Sequence, residues 1–165
     1  MYKEIISNNN LYEFPDGLDT AAIVTTNGIV KCGGEAVMGA GIAKYVNDTW
    51  DHLPAEWLGK RLRALGNHAF YLGNVSLNKN EFRLISFPTK YDYHDPSDLD
   101  LIKRSCEELI DICNKINIAT CYLCPPGCGL GGLNYSSQVR PLLYDMLNAT
   151  QTQFIGVIPR KLYNQ

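Results

Sequence analysis

Two glycine-rich stretches carry the residues best suited to chemistry in this sequence. The first runs Asn27-Gly28-Ile29-Val30-Lys31-Cys32-Gly33-Gly34-Glu35-Ala36-Val37-Met38-Gly39-Ala40-Gly41-Ile42-Ala43, and the second Pro126-Gly127-Cys128-Gly129-Leu130-Gly131-Gly132-Leu133. Each leads from an apolar, strand-like run into the start of a helical pattern. At such a junction glycines let backbone N–H groups approach an anion, and the helix dipole favours negative charge. A P-loop is excluded, because Ala40 and Gly41 stand where Lys and Ser or Thr are required. Gly127, Gly129 and Gly132 satisfy G-x-G-x-x-G formally, but no acid follows about 20 residues later. That match also lies too near the C-terminus for a dinucleotide-binding half. A third reading uses both loops as opposite walls around one diphosphate. Either loop alone can equally be a set of tight turns.

The elements that must position these loops follow from periodicity. Residues 3–7 read as a short strand ended by the turn-prone Asn8-Asn9-Asn10, and residues 21–26 as a buried strand feeding the first loop. Residues 42–46 start a helix, and residues 56–65 form another, stopped by Gly66. Residues 69–77 and 82–87 pair as strands around Asn78-Lys79-Asn80. Residues 97–117 show the clearest helical period, with Ile102, Cys106, Leu109, Cys113 and Ile116 on one face and Ser97 or Asp98 as cap. Residues 118–124 form an apolar strand into the second loop. The next helix turns Val139, Leu142, Leu143 and Met146 inward, and residues 154–158 are the last strand. Strands alternating with helices predict one three-layer α/β/α domain over residues 1–165 with a mixed sheet. Ligands of such sheets bind outside the carboxyl ends of the strands, where both glycine loops emerge.

Composition narrows the function classes. A formal net charge of −2 lacks the basic surplus of a protein that grips duplex DNA, so stable non-specific duplex binding is not expected. No apolar run reaches the ~18 residues of a membrane span, and the N-terminal residues lack the pattern of a signal peptide. The six cysteines offer one CxxC, Cys121 and Cys124, with no second pair and no His at a zinc-like interval. Buried reduced thiols, no metal and no cofactor are expected, in a cytoplasmic, monomeric protein.

Asn27, the segment Met38-Gly39-Ala40-Gly41-Ile42-Ala43 and the run from Gly127 through Cys128, Gly129, Leu130, Gly131 and Gly132 to Leu133 resemble the two ligand loops of macro domains. Phe87-Pro88-Thr89-Lys90 and Val139-Arg140-Pro141-Leu142-Leu143 are similar to motifs of one branch, that of terminal ADP-ribose glycohydrolases and the antitoxins that reverse DNA ADP-ribosylation. The similarity runs in order along nearly the whole chain. It implies ADP-ribose, or an ADP-ribosylated molecule, as partner, with the diphosphate between the loops. By the same resemblance Asn27 would hold hydroxyls of the distal ribose, which carries the reactive C1″. Asn10 sits where many relatives have an Asp that reads the adenine amino group; an amide oxygen can accept the same bond, and Asn10 also reads as a turn residue. A small stand-alone macro domain suits a bacterium or a phage.

The resemblance makes Lys90 the candidate catalytic residue. A lysine poised near C1″ can attack the ring-opened aldehyde or polarise the leaving group. One hydrolase branch pairs this lysine with an Asp in the second loop, where this chain has Gly131, so a lysine-only mechanism would have to serve. The first loop is longer than in the antitoxin group by Val30-Lys31-Cys32-Gly33-Gly34-Glu35, a segment placed to select the aglycone or to close over the pocket. Two alternatives stand beside hydrolysis. One is a module that binds ADP-ribose without turnover. The other is an ADP-ribose 1″-phosphate phosphatase using His94 in Tyr91-Asp92-Tyr93-His94-Asp95. Glu35 reads as a base or as an exposed loop acid, and His52 and His68 have no partner apparent from spacing.

Overall fold

The computed structural model describes residues 1–164. A six-stranded sheet has the order β1-β6-β5-β2-β4-β3, from β1 (Tyr2–Ile6), β2 (Thr20–Thr26), β3 (Phe70–Leu77), β4 (Asn80–Pro88), β5 (Thr120–Leu123) and β6 (Gln153–Ile158). All neighbours are parallel except β3 on β4. That antiparallel hairpin turns through Asn78 and Lys79, both at positive φ (51° and 69°), the geometry whose twist matches the flanking strands.

Alternation along the strands divides the core between the two faces. In β2, Ala21 and Ile23 join one buried cluster, and Ala22 and Val24 the other. Helices α1 (Gly41–Thr49) and α2 (Leu53–Leu65) cover the second face, bringing Val46, Ala55, Leu58 and Leu62 onto Phe82 and Leu84. Helices α3 (Leu99–Lys115) and α4 (Arg140–Leu147) cover the first. Ile102, Cys106, Leu109 and Cys113 of α3 are fully buried, as its period predicts. Asp98, not Ser97, caps α3: its carboxylate accepts from the Leu101 N–H at 3.0 Å. Gly66 ends α2 as expected.

Of the four residues expected to turn inward at α4, Val139 and Leu143 are wholly buried, and Leu142 and Met146 pack against the core from partly buried positions. Leu147 is wholly buried as well. The helix enters through a π turn at Tyr135–Val139, whose Tyr135 adds to the buried stripe. Arg140, next to this turn, donates from Nε to Glu4 of β1 at 2.8 Å, and Tyr144 donates to the same carboxylate at 2.9 Å. The Glu4 side chain is 7% exposed, so this ion pair ties α4 to the edge of the sheet from inside the protein. A short helix α5 (Arg160–Tyr163), absent from the sequence reading, follows β6.

From β2 the chain passes across α1 and α2 towards β3 and β4; from β5 it passes across α4 towards β6. The connections leave in opposite directions from adjacent strands, which is the topological switch point where open α/β sheets bind ligands.

Candidate functional site

Loop one leaves β2 and loop two leaves β5, so the pairing of Ala21 with Cys121 and Ala22 with Tyr122 brings the two loops side by side. Between them opens a cleft of about 1070 Å³ along the carboxyl edge of the sheet. It runs from the β6 end, at Pro159, Lys161 and Leu162, past both loops to the β4 end, at Thr89, Lys90, Tyr93 and His94. This volume is at the upper end of the range for small-molecule sites. No helix among the described residues is long and apolar enough to cross a membrane, and none of their His, Cys, Asp and Glu residues gather in threes as a metal site.

Of the residues singled out from sequence, Asn27, Met38, Gly39, Ala40, Gly41, Ile42, Lys90, Gly129, Leu130, Gly131, Gly132 and Gly127 line this cleft; Asn10 and Cys128 do not. One wall is the N-terminus of α1. Its cap residue is Ala40, and no side chain occupies the first-turn N–H groups, so the positive end of the helix faces the cleft open. The other wall is loop two, whose internal bonds use the N–H groups of Cys128, Gly132 and Leu133. The N–H groups of Gly129, Leu130 and Gly131 have no acceptor among the described residues. Leu130, 76% exposed, reaches across from loop two: its Cδ1 would stand 3.9 Å from a Cβ on Gly41. The two walls nearly meet, and both carry backbone N–H groups without an acceptor among the described residues.

Lys90 is fixed by its backbone. Thr89 N–H donates to the Thr26 carbonyl at 3.0 Å, extending the β2–β4 ladder by one step, and the Ser105 hydroxyl donates to the Pro88 carbonyl at 2.7 Å. The Asn67 amide then donates to the Lys90 carbonyl at 3.1 Å. The Lys90 side chain is half-buried and pairs with no carboxylate among the described residues. An amine held on a strand end, in a cleft and without a counter-ion, is free to meet an electrophile.

Asn27 spends part of its amide on loop one. Its Oδ1 accepts from Ile29 N–H at 3.0 Å and its Nδ2 donates to Val37 O at 3.1 Å. One Nδ2 proton and one oxygen lone pair remain for a ligand. Asn10 caps the 3₁₀ turn at Leu11–Glu13, accepting from Tyr12 N–H at 3.0 Å and donating to the Tyr45 hydroxyl at 2.5 Å. Cys128 is buried beneath loop two, and burial pushes its thiol up to about 12. It supports the loop from below, outside the cleft.

The inserted segment of loop one folds back as a small hairpin, with Val30 bridged to Ala36 and Lys31 N–H donating to Glu35 O at 2.7 Å. It is seated on α2. The Gly34 carbonyl lies where a Cβ on Gly59 would come within 1.9 Å, Ala36 N–H donates to Ala55 O at 2.9 Å, and Arg63 donates to the carbonyls of Lys31 and Cys32, each at 3.3 Å. Of its six residues only Lys31 lines the cleft. Glu35, read as a possible base, does not.

His94 lines the cleft, with its Nδ1 2.9 Å from the Asp92 carboxylate. The His94 backbone N–H bonded to Asp92, and then the ring, hold that carboxyl below the usual range. His52 and His68 have partners after all, Asn47 at 2.8 Å and Glu108 at 2.6 Å, from contacts distant in sequence. The cysteines are free, but Cys32, on the hairpin tip, is exposed where burial was expected.

A mixed sheet of this order, with a ligand-sized cleft between two glycine loops at its switch point, is the macrodomain fold. The macrodomain of Mycobacterium tuberculosis DarG superposes with a TM-score of 0.76 at 22% identity, over 96% of this chain and 99% of that one. The macrodomain of Thermus aquaticus DarG gives 0.75 at 21% identity, over 96% and 99%. Thermosipho africanus DarTG in complex with ADP-ribose gives 0.69 at 21% identity, over 86% of this chain and 38% of the other. No protein-family model and no curated protein matches the sequence.

Proposed function

We propose that this protein binds ADP-ribose and hydrolyses ADP-ribosyl linkages through Lys90. The observation that carries the reading is the placement of Lys90 at the β4 end of a cleft walled by two loops whose backbone N–H groups are left unpaired. A diphosphate between the loops would take the N–H groups of loop two on one side and the α1 N-terminus on the other. The adenosine then lies towards β6 and the distal ribose towards Lys90. The likeness to a structure holding ADP-ribose supports the same ligand here.

In the chemical step the C1″–O4″ bond opens as the aglycone's lone pair moves onto C1″. O4″ keeps the electron pair of that bond and takes up a proton, and the Lys90 amine adds to C1″ through its lone pair. The aglycone leaves with the electron pair of its bond to C1″ and one proton, and water hydrolyses the resulting imine to ADP-ribose and free amine. His94 beside Asp92 is the observation that favours the second reading, removal of a 1″-phosphate.

Calorimetric titration with ADP-ribose, with AMP and NAD as controls, tests the binding reading. Micromolar affinity for ADP-ribose that AMP does not match is expected, and no heat at millimolar ligand would sink it. Lys90→Ala, assayed on ADP-ribosylated substrates, then tests the chemistry. Turnover should fall by at least ~10³-fold with affinity retained, and borohydride should trap a covalent adduct on the wild type alone. Phosphate release from ADP-ribose 1″-phosphate that survives Lys90→Ala and is lost in His94→Ala would favour the second reading. A wild type that binds but turns over neither substrate would be a binding module.

A further inference from the structure

Four side-chain polar atoms among the described residues are buried without a hydrogen-bond partner: Thr26 Oγ1, Asn67 Oδ1, Ser97 Oγ and Arg104 Nε. Two of these residues, Thr26 and Ser97, line the cleft. A hydroxyl buried unpaired is costly, so a native protein keeps one where something else completes the bond.

Ser97 is the more telling of the two because the chain makes room for it. A Cβ on Gly131 would stand 2.0 Å from Ser97 Oγ, so the hydroxyl occupies the space that any side chain at 131 would need. Main-chain bonds hold Ser97 in that space. Its N–H donates to the Gly131 carbonyl at 3.0 Å, and the N–H of the next residue, Asp98, donates to the Thr89 carbonyl at 2.9 Å. Ser97 therefore joins loop two to the strand end that carries Lys90. The usual reason for a serine before a helix is absent, since Asp98 already caps α3. Ser97 is 8% exposed, and its hydroxyl has no hydrogen-bond partner among the described residues.

We propose that the Ser97 hydroxyl donates a hydrogen bond directly to the ligand, at the junction between the diphosphate on loop two and the ribose presented to Lys90. The assignment rests on the ADP-ribose reading above. Bound ligand supplies the missing acceptor, and the energy of completing that bond appears as affinity for the distal half of the molecule. Ser97 is a binding and positioning residue; the covalent step stays with Lys90.

Ser97→Ala tests this with two measurements, melting of the free protein and titration with ADP-ribose and AMP, each beside the wild type. The expected result is a loss of about 5- to 10-fold in ADP-ribose affinity, the size of one hydrogen bond, with AMP affinity unchanged. The free variant should melt at the wild-type temperature or above it, because the substitution removes an unpaired buried oxygen. Equal ADP-ribose affinity in the two proteins would overturn the assignment. So would a lowered melting temperature with equal losses for ADP-ribose and AMP, the signature of a purely structural serine. A wild type that does not bind ADP-ribose would instead overturn the reading on which the assignment rests.

Discussion

The two glycine loops look alike in sequence and are built in opposite ways. Loop one is long and takes its shape from outside: its hairpin is seated on α2 by the close approach of Gly34 to Gly59, by Ala55 and by Arg63. Loop two is short and shaped from beneath, by turns from Pro125 and Gly127 and by the Ser97 hydroxyl against Gly131. A loop held by another helix can be extended without disturbing its working end, whereas a loop held by its own turns cannot. The inserted segment accordingly adds only Lys31 to the cleft, and the α1 N-terminus stays open.

This contrast breaks most visibly at Gly131. A methyl group there would meet Ser97 Oγ at 2.0 Å and the Gly127 carbonyl at 2.6 Å, so Gly131→Ala must displace loop two. Overpacking of this kind costs about 1–3 kcal/mol. Because the strain falls on ligand-binding donors, we expect ADP-ribose affinity to drop by roughly 10- to 100-fold, measured calorimetrically. Unchanged affinity would mean that loop two is more pliable than its packing indicates.

Gly59→Ala should act in the other direction, on stability more than on binding. Its Cβ would come within 1.9 Å of Gly34 O, so either the hairpin lifts off α2 or the helix shifts. A loss of about 1–3 kcal/mol in stability is expected, with less than a 3-fold change in ADP-ribose affinity. Urea unfolding and titration of the same sample decide it; a loss of affinity larger than that of Gly131→Ala would reverse the comparison.

The smallest effect is chemical and needs no substitution. Cys32 sits exposed on the loop-one hairpin, whereas Cys128 is buried under loop two with its thiol at about 12. At pH 8 the thiolate fraction of Cys128 is on the order of a thousandfold below that of an ordinary cysteine. Iodoacetamide should therefore label Cys32 in the native protein and reach Cys128 only on unfolding, as peptide mass mapping would show. Early labelling of Cys128 would indicate that loop two opens on its own.

Periodicity and glycine placement were enough to predict the alternating strands and helices, both loops at one sheet edge and the α3 face. These are properties of local sequence: the side-chain period is 2 in a strand and 3.6 in a helix, and a glycine marks where backbone must turn. The resemblance added Lys90 as a candidate, and the fold places it in the cleft beside both loops. Ser97 was read only as a possible helix cap. Its other surroundings come from Gly131 and Thr89, residues brought to it by folding, and no local pattern marks a hydroxyl as unpaired. The same holds for Arg140 on Glu4, for His68 on Glu108 and for Gly59 under loop one. Local sequence determined which segments turn, alternate or coil. Which buried polar groups find partners, and which are left for a ligand, only the tertiary structure decided, because each such pairing joins residues far apart in the chain.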